Sequence, residues 1–421
     1  MARNRASMRE GPLADLFRAT EAAHRQETAG AKEDAEPKSA ETLRAVPEPV
    51  ERAGPPSDRV REEHPVARWL DPLPEQPPRL ERSREGASYL AVIRVVGVGG
   101  AGLNAVDRMI DAGITQVDFV AVNTDIQQLQ MCDAPTKIHI GSELTEGLGS
   151  GADPEIGRRA AEDAYDMIKR SLRGSDMVFV TAGEGGGTGS GAAPVVARVA
   201  RELGALTVGI VTMPFSFEGS RRRKQADDGI KALREACDTL IEIPNDRLLE
   251  VLDKSTSMLD AFRIADDVLR HGVQGVCDLI TNPGLINLDF ADVRTIMADS
   301  GSALMGIGYA TGDNRAKEAA TRALNSPLIE AEITGARGIL LSIAGGDDMT
   351  LYEVNEAAEA VREAATDDTN IIFGATIDDR LNGQLWITVV ATGLGGSRGT
   401  RRSSVGGLTA SDGLDTPSFL S

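Results

Sequence analysis

The chain has 421 residues, 41% of them hydrophobic and 4% aromatic, enough for two or three cores of aliphatic side chains and too few rings for a typical β-sandwich. Its formal net charge of -19 excludes a general affinity for nucleic acid or anionic lipid, and leaves backbone N–H groups and metal ions to hold any phosphate-bearing ligand. Cys132, Cys237 and Cys277 show no C-x-x-C spacing and the histidines no H-E-x-x-H, so neither a disulfide framework nor a zinc site is indicated.

Residues 1–88 are rich in Arg, Glu, Ala and Pro. They carry few large apolar side chains to offset the entropy of ordering, and read as a disordered extension. Leu13, Leu16 and Phe17 give this arm one short amphipathic stretch, a candidate for a transient helix. No signal-peptide segment opens the chain, and no apolar run reaches the roughly 18 residues of a membrane span. A cytoplasmic protein without direct membrane insertion is expected.

Order begins at Tyr89. Apolar runs over 91–98, 117–122, 177–182, 206–212 and 239–243 predict buried strands, with helices over 104–112, 154–172 and 192–202 between them. Alternation of this kind is the mark of a doubly wound, mostly parallel α/β sheet. A long helix follows over 257–280, where Phe262, Ala265, Leu269, Val273, Val276 and Ile280 recur at spacings of three and four. Asn282-Pro283-Gly284 ends it. Strands over 304–310, 339–344, 371–375 and 385–391 predict a second, smaller α/β unit. The expected organisation is an extension (1–88), a first α/β unit (89–256), a central helix (257–281), a second unit (282–394) and a Gly/Ser/Arg-rich tail (395–421).

Two glycine clusters carry chemistry. Gly97-Val98-Gly99-Gly100-Ala101-Gly102 follows the first strand, fits G-x-G-x-x-G, and has Asp125 at the end of the second strand. Alone, that pattern suits a dinucleotide site and a NAD-dependent oxidoreductase. The second cluster, Gly185-Gly186-Gly187-Thr188-Gly189-Ser190-Gly191, lies between a buried strand and a helix. It exposes successive N–H groups with no side chain to block an anion, at the positive end of a helix dipole. A dinucleotide domain has no use for two such loops, whereas a triphosphate gripped from two sides does. No G-K-[ST] and no N-K-x-D is present, which excludes P-loop and Ras-like nucleotide sites.

The run G-G-G-T-G-S-G matches the tubulin/FtsZ signature, and residues from about 90 to 394 resemble FtsZ nearly throughout. The resemblance implies a GTP-binding domain over 89–256. Gly99, Gly100, Ala101, Gly102 and Asn104 match its first phosphate loop, and Asn123, Thr124 and Asp125 a loop near the nucleotide and its metal. Gly151 lies in a segment similar to the γ-phosphate-sensing loop, and Gly185 to Gly191 form the second phosphate loop. Glu218 would hold the ribose, Arg222 would approach the phosphates or base, and Asn245 and Asp266 would read the guanine. The base assignment also makes independent sense: guanine presents N1–H and an exocyclic amine side by side, and one carboxylate accepts both. Asn287, Asp289 and Asp292 match the family's acidic catalytic loop, two carboxylates three residues apart that can order a water or a cation.

From these matches the resemblance implies a GTPase that binds GTP or GDP with Mg2+ and a monovalent cation. It also implies head-to-tail polymerisation into protofilaments, hydrolysis completed by the acidic loop of the next subunit, and a division ring at mid-cell that recruits other division proteins. Leu414 to Leu420 is similar to the short peptide by which FtsZ binds membrane anchors, though it ends without the usual basic residues. The alternatives are the oxidoreductase above, which leaves the second glycine loop idle, and a GTP-binding filament paralogue with weak hydrolysis, against which Asp289 and Asp292 argue. One residue departs from the pattern: Glu184 places an acid where the family often has an apolar side chain.

Overall fold

Strands that are apolar at every position, rather than at every second one, must be covered on both faces. The computed structural model bears this out over the residues it describes, 91–394 except 251, 253–254, 282–285, 287, 330–332 and 334. The expected disordered extension, the tail with its terminal peptide, and Asn287 lie outside the described residues.

Six strands form the parallel half of the sheet. These are β1 (Ile93–Val98), β2 (Val117–Asn123), β3 (Thr136–His139), β4 (Met177–Gly183), β5 (Leu206–Met213) and β6 (Thr239–Pro244). Four more follow: β7 (Gly301–Thr311), β8 (Gly338–Gly345), β9 (Asn370–Ile377) and β10 (Gln384–Thr392). The order is β3-β2-β1-β4-β5-β6-β7-β10-β8-β9. A short parallel ladder from Thr239 to Ile241 joins β6 to β7, and β10 pairs antiparallel with both β7 and β8.

The helices are α1 (Gly99–Asp111), α2 (Ile126–Met131), α3 (Ser142–Thr145), α4 (Pro154–Asp163), α5 (Tyr165–Leu172), α6 (Gly187–Glu202), α7 (Ser220–Ala236), α8 (Asn245–Leu248), α9 (Met258–Thr281), α10 (Phe290–Met297), α11 (Arg315–Leu324) and α12 (Leu351–Ala364). Alternate strand residues point to opposite sides. Val95, Phe119, Phe179 and Val208 pack with Leu103, Val106 and Met109 of α1 and Leu269 and Val273 of α9. Val96, Val120, Val180 and Val211 pack instead with Val195, Val196 and Val199 of α6. Thus α1, which follows β1, and α6, which follows β4, cover opposite faces although their strands are neighbours. A crevice opens at such a switch in strand order, beyond the carboxyl ends of the two strands.

Helix α9 serves both halves of the sheet. Gly272 lets it approach Met305 of β7, where an added Cβ would come within 2.9 Å of the sulfur, and Gly275 lies equally close against Thr388 of β10. The His271 ring stacks on Trp386 of β10 at 5.3 Å.

Three expectations change. Helices α1 and α6 begin at Gly99 and Gly187, inside the glycine clusters, not after them. Close packing of the loops outweighs the poor helix propensity of glycine. The helix expected over 154–172 is two, broken at Ala164, which lets Ile168 and Leu172 of α5 turn onto the sheet. Strand β3, with Ile138 alone buried among its four residues, had no apolar run to announce it.

Candidate functional site

The two glycine clusters meet at the crevice. Gly99 opens α1 at φ +70, and a Cβ there would come within 3.0 Å of Gly189 N, so the loops abut backbone to backbone. An added Cβ on Gly187 would fall on Ser150 Oγ and lie 2.7 Å from Asp153 N, which ties the second loop to the segment carrying Gly151. Gly186 and Gly151, by contrast, face open space, with nothing within 4 Å of where a Cβ would stand. Gly185 N–H donates to Ser190 Oγ at 2.7 Å, and Gly100 packs on the Gln128 carboxamide. Gly102 and Gly191 are buried, Ala101 is half-buried, and Asn104 is exposed on α1.

Hydroxyls knit three loops together. Thr188 Oγ1 lies 2.7 Å from Thr124 Oγ1 and 3.1 Å from Ser150 Oγ, both buried contacts. The resemblance implies that Thr124 and the segment of Ser150 and Gly151 lie near the nucleotide, but not their contacts with Thr188, because pairing at separations of 64 and 38 residues leaves no periodic signal. The Asn123 carboxamide accepts from Thr124 N at 2.9 Å and so shapes its own loop. Asp125 caps α2, its Oδ1 accepting from Gln127 N at 2.9 Å and Gln128 N at 3.1 Å. That oxygen is committed to the helix.

Asn245 and Asp266 stand towards the other end of the crevice. Asn245 opens α8 at the end of β6, and its Oδ1 is buried with no hydrogen-bond partner among the described residues. Such an atom costs about 1–3 kcal/mol unless something arrives to bond it. Asp266 lies on α9 with Arg108 Nε 3.4 Å away. Burial pushes its carboxyl up to about 7, with Arg108 pulling the other way. Phe262 stands one turn earlier on the same helix, partly exposed and edge-on to Phe215 at 5.4 Å. Neither Arg108 nor Phe262 was singled out for the site: the first is remote in sequence, and the second reads equally well as core. Between these ends Glu218 accepts from Phe215 N at 2.9 Å and pairs with Arg222 at 3.1 Å.

The acidic segment is not part of this cluster. From Asp266 helix α9 runs on to Thr281, about 22 Å at 1.5 Å per residue. Ile286 then pairs with Ala375 of β9, bonding at 3.2 and 3.4 Å, so the chain is tied to the far half of the sheet. Asp289 precedes α10 without capping it, Asp292 stands in its first turn, and both are exposed.

An open α/β sheet with two abutting glycine loops at its switch point, and a buried, unbonded carboxamide oxygen on Asn245, has the architecture of the tubulin/FtsZ class. Residues 92–253 match the GTPase domain of the Tubulin/FtsZ family, and residues 301–395 the C-terminal domain of the FtsZ family. FtsZ of M. jannaschii, solved as an empty dimer, is 46% identical with a TM-score of 0.71, over 73% of this chain and 90% of that one. CetZ2 from Haloferax volcanii, in a GTPγS-bound protofilament, shares the fold at 23% identity and a TM-score of 0.61, over 71% of this chain and 92% of that one. The chain belongs to the FtsZ family and so to a family of GTPases. That membership sets aside the oxidoreductase which Gly97 to Gly102 left open.

Proposed function

We propose that this chain binds and hydrolyses GTP, polymerises head to tail, and completes each active site with the acidic segment of the next subunit. The single observation that carries the last step is the Ile286–Ala375 pairing, which ties the chain just before Asp289 and Asp292 to β9, beyond the 15 residues of α9 that follow Asp266. A contact in which one end of a subunit meets the other end of its neighbour propagates as an open filament. The nucleotide reading draws support from Gly186 and Gly151, which leave space for phosphates, from Asn245 Oδ1, which awaits a donor, and from the Asp266 carboxyl, which beside Arg108 would accept the paired donors that guanine has and adenine lacks. Glu218 and Arg222 stand where a ribose would pass.

Mg2+ would come with the phosphates, keeping most of its waters, with the Asp125 oxygen not committed to capping α2 as a carboxylate the loops can offer. It would neutralise charge on the transferred phosphoryl group. A monovalent cation has its candidate place at the acidic segment. Asp289 and Asp292, with Asn287, would orient the attacking water. In the cell the filament would form the division ring at mid-cell in the cytoplasm, bound to membrane anchors through Leu414 to Leu420 and recruiting further division proteins.

Turnover measured against protein concentration tests the reading. Specific activity should rise steeply above a threshold and coincide with light scattering. Full turnover by a demonstrably monomeric form would refute the shared site.

A further inference from the structure

Glu184 is the first residue after β4 and directly precedes the second glycine loop. Both its carboxyl oxygens are buried and make no well-formed hydrogen bond among the described residues, although the Ser190 hydroxyl lies beside them. Burying a carboxylate in this way is costly, and a protein avoids the cost by leaving the group protonated.

The surroundings offer no cation to hold the charge. From α6 comes the Ser190 hydroxyl, already accepting from Gly185 N–H. From α7 comes Gly229, where an added Cβ would fall on Glu184 Oε2 and lie 3.1 Å from Ser190 Oγ, so carboxyl and hydroxyl sit side by side under that helix. From β5 comes only the Thr212 carbonyl, which accepts the Glu184 N–H. From β6 comes Glu242, another acid, and just beyond α7 lies the Cys237 thiol. The arginines in the vicinity are committed elsewhere, Arg234 to Glu242 at 2.5 Å and Arg222 to Glu218 at 3.1 Å. Burial pushes the Glu184 carboxyl up to about 7, with the Ser190 hydroxyl drawing it down and the Glu242 charge raising it again.

We propose that Glu184 is a proton-carrying group built into the second glycine loop, which accepts a nucleotide's phosphates with Glu184 neutral and loses affinity as Glu184 ionises. This rests on the nucleotide reading above. An anion arriving on the loop disfavours a second negative charge behind it, so binding and protonation support one another. The Ser190 hydroxyl links the two, accepting from Gly185 N–H while its own proton is free to turn to an ionised Glu184 beside it.

Asp266 acts with the opposite sign. It must be ionised to accept guanine, so acid weakens binding through Asp266 while alkali weakens it through Glu184. GDP affinity of the full chain with Mg2+ should therefore pass through a maximum near pH 7. Between pH 7.5 and 9, where the nucleotide phosphates are already ionised, it should fall about tenfold in the wild type. Glu184→Gln should keep the acid limb and lose the alkaline one.

Thermal unfolding without nucleotide gives a second readout. The folded pKa lies above the ordinary value of 4.5 for a free glutamate, so the stability penalty is absent below that value, grows as pH rises towards about 7, and stays full above. The midpoint of Glu184→Gln should exceed that of the wild type by roughly 5 °C at pH 8 and by little at pH 5. Glu184→Met, similar in volume, should behave likewise if the glutamine variant folds poorly. Parallel alkaline loss of GDP affinity in wild type and variant, or a midpoint difference that ignores pH, would overturn the proposal and leave GTP binding intact. Absence of GDP binding at every pH would instead sink the nucleotide reading, while the thermal comparison would still decide whether Glu184 holds the proton.

Discussion

The crevice and the acidic segment are both polar regions at the ends of elements, yet they are built in opposite ways. In the crevice, loops lock to one another through glycine backbones and hydroxyl pairs, and Asn245 Oδ1 waits unbonded in a buried position. The acidic segment exposes Asp289 and Asp292 to solvent and is secured through its backbone on β9. On the proposed reading, a preformed cleft with an unmatched acceptor is half of a binding site, and a pair of exposed carboxylates on a fixed scaffold is the other half. The difference then teaches that a chain can carry two complementary ends and not one complete centre.

If the base end of the crevice is as selective as its chemistry suggests, GTP should outcompete ATP by about 10⁴-fold, the discrimination expected when a site built for hydrogen bonds loses its partner. Asp266→Ala should reduce that preference to about tenfold or less in a competition assay. The acidic end should respond differently: Asp292→Ala is expected to lower turnover by about 10² to 10⁴-fold, the weight of a water-orienting acid or base, with GTP affinity unchanged. A matching loss of affinity would place Asp292 in the crevice and break the comparison.

Packing of the loops predicts a smaller effect. An added Cβ on Gly191 would fall on the Pro154 carbonyl and 2.7 Å from Arg158 N. Gly191→Ala should cost about 1–3 kcal/mol in chemical denaturation, the range for overpacking, and weaken GTP binding with it. Smallest of all, Thr350 and Glu353 form a capping box at the start of α12, remote from both ends. Thr350→Ala should cost about 1 kcal/mol of stability and leave turnover as it was.

How much of this could be read in the sequence depended on how local the cause was. Strands such as 177–182 were legible because every residue but Thr181 is apolar, and α9 because apolar residues from Phe262 to Ile280 recur at spacings of three and four. The glycine clusters were legible as loops that follow β1 and β4, but not as helix starts, since glycine signals freedom and only the neighbouring loop supplies the constraint. The Arg108–Asp266 pair and the Thr124–Thr188 contact join distant segments, and no spacing rule reaches them. Glu184 was visible as an odd residue, but its isolation depends on Gly229 and Glu242, which only folding brings near.

One mixing experiment addresses the claim of two complementary ends most directly. Asp292→Ala keeps the crevice and loses the acid, whereas Gly187→Val keeps the acid and, by driving a side chain into Ser150 Oγ and Asp153 N, loses the crevice. Neither should hydrolyse GTP alone. Mixed, they form junctions that pair one intact crevice with one intact acidic segment, and a substantial part of wild-type turnover should return. If the mixture stays as inactive as its components while both variants still assemble, the acidic segment does not serve a neighbour's nucleotide and the shared site is contradicted.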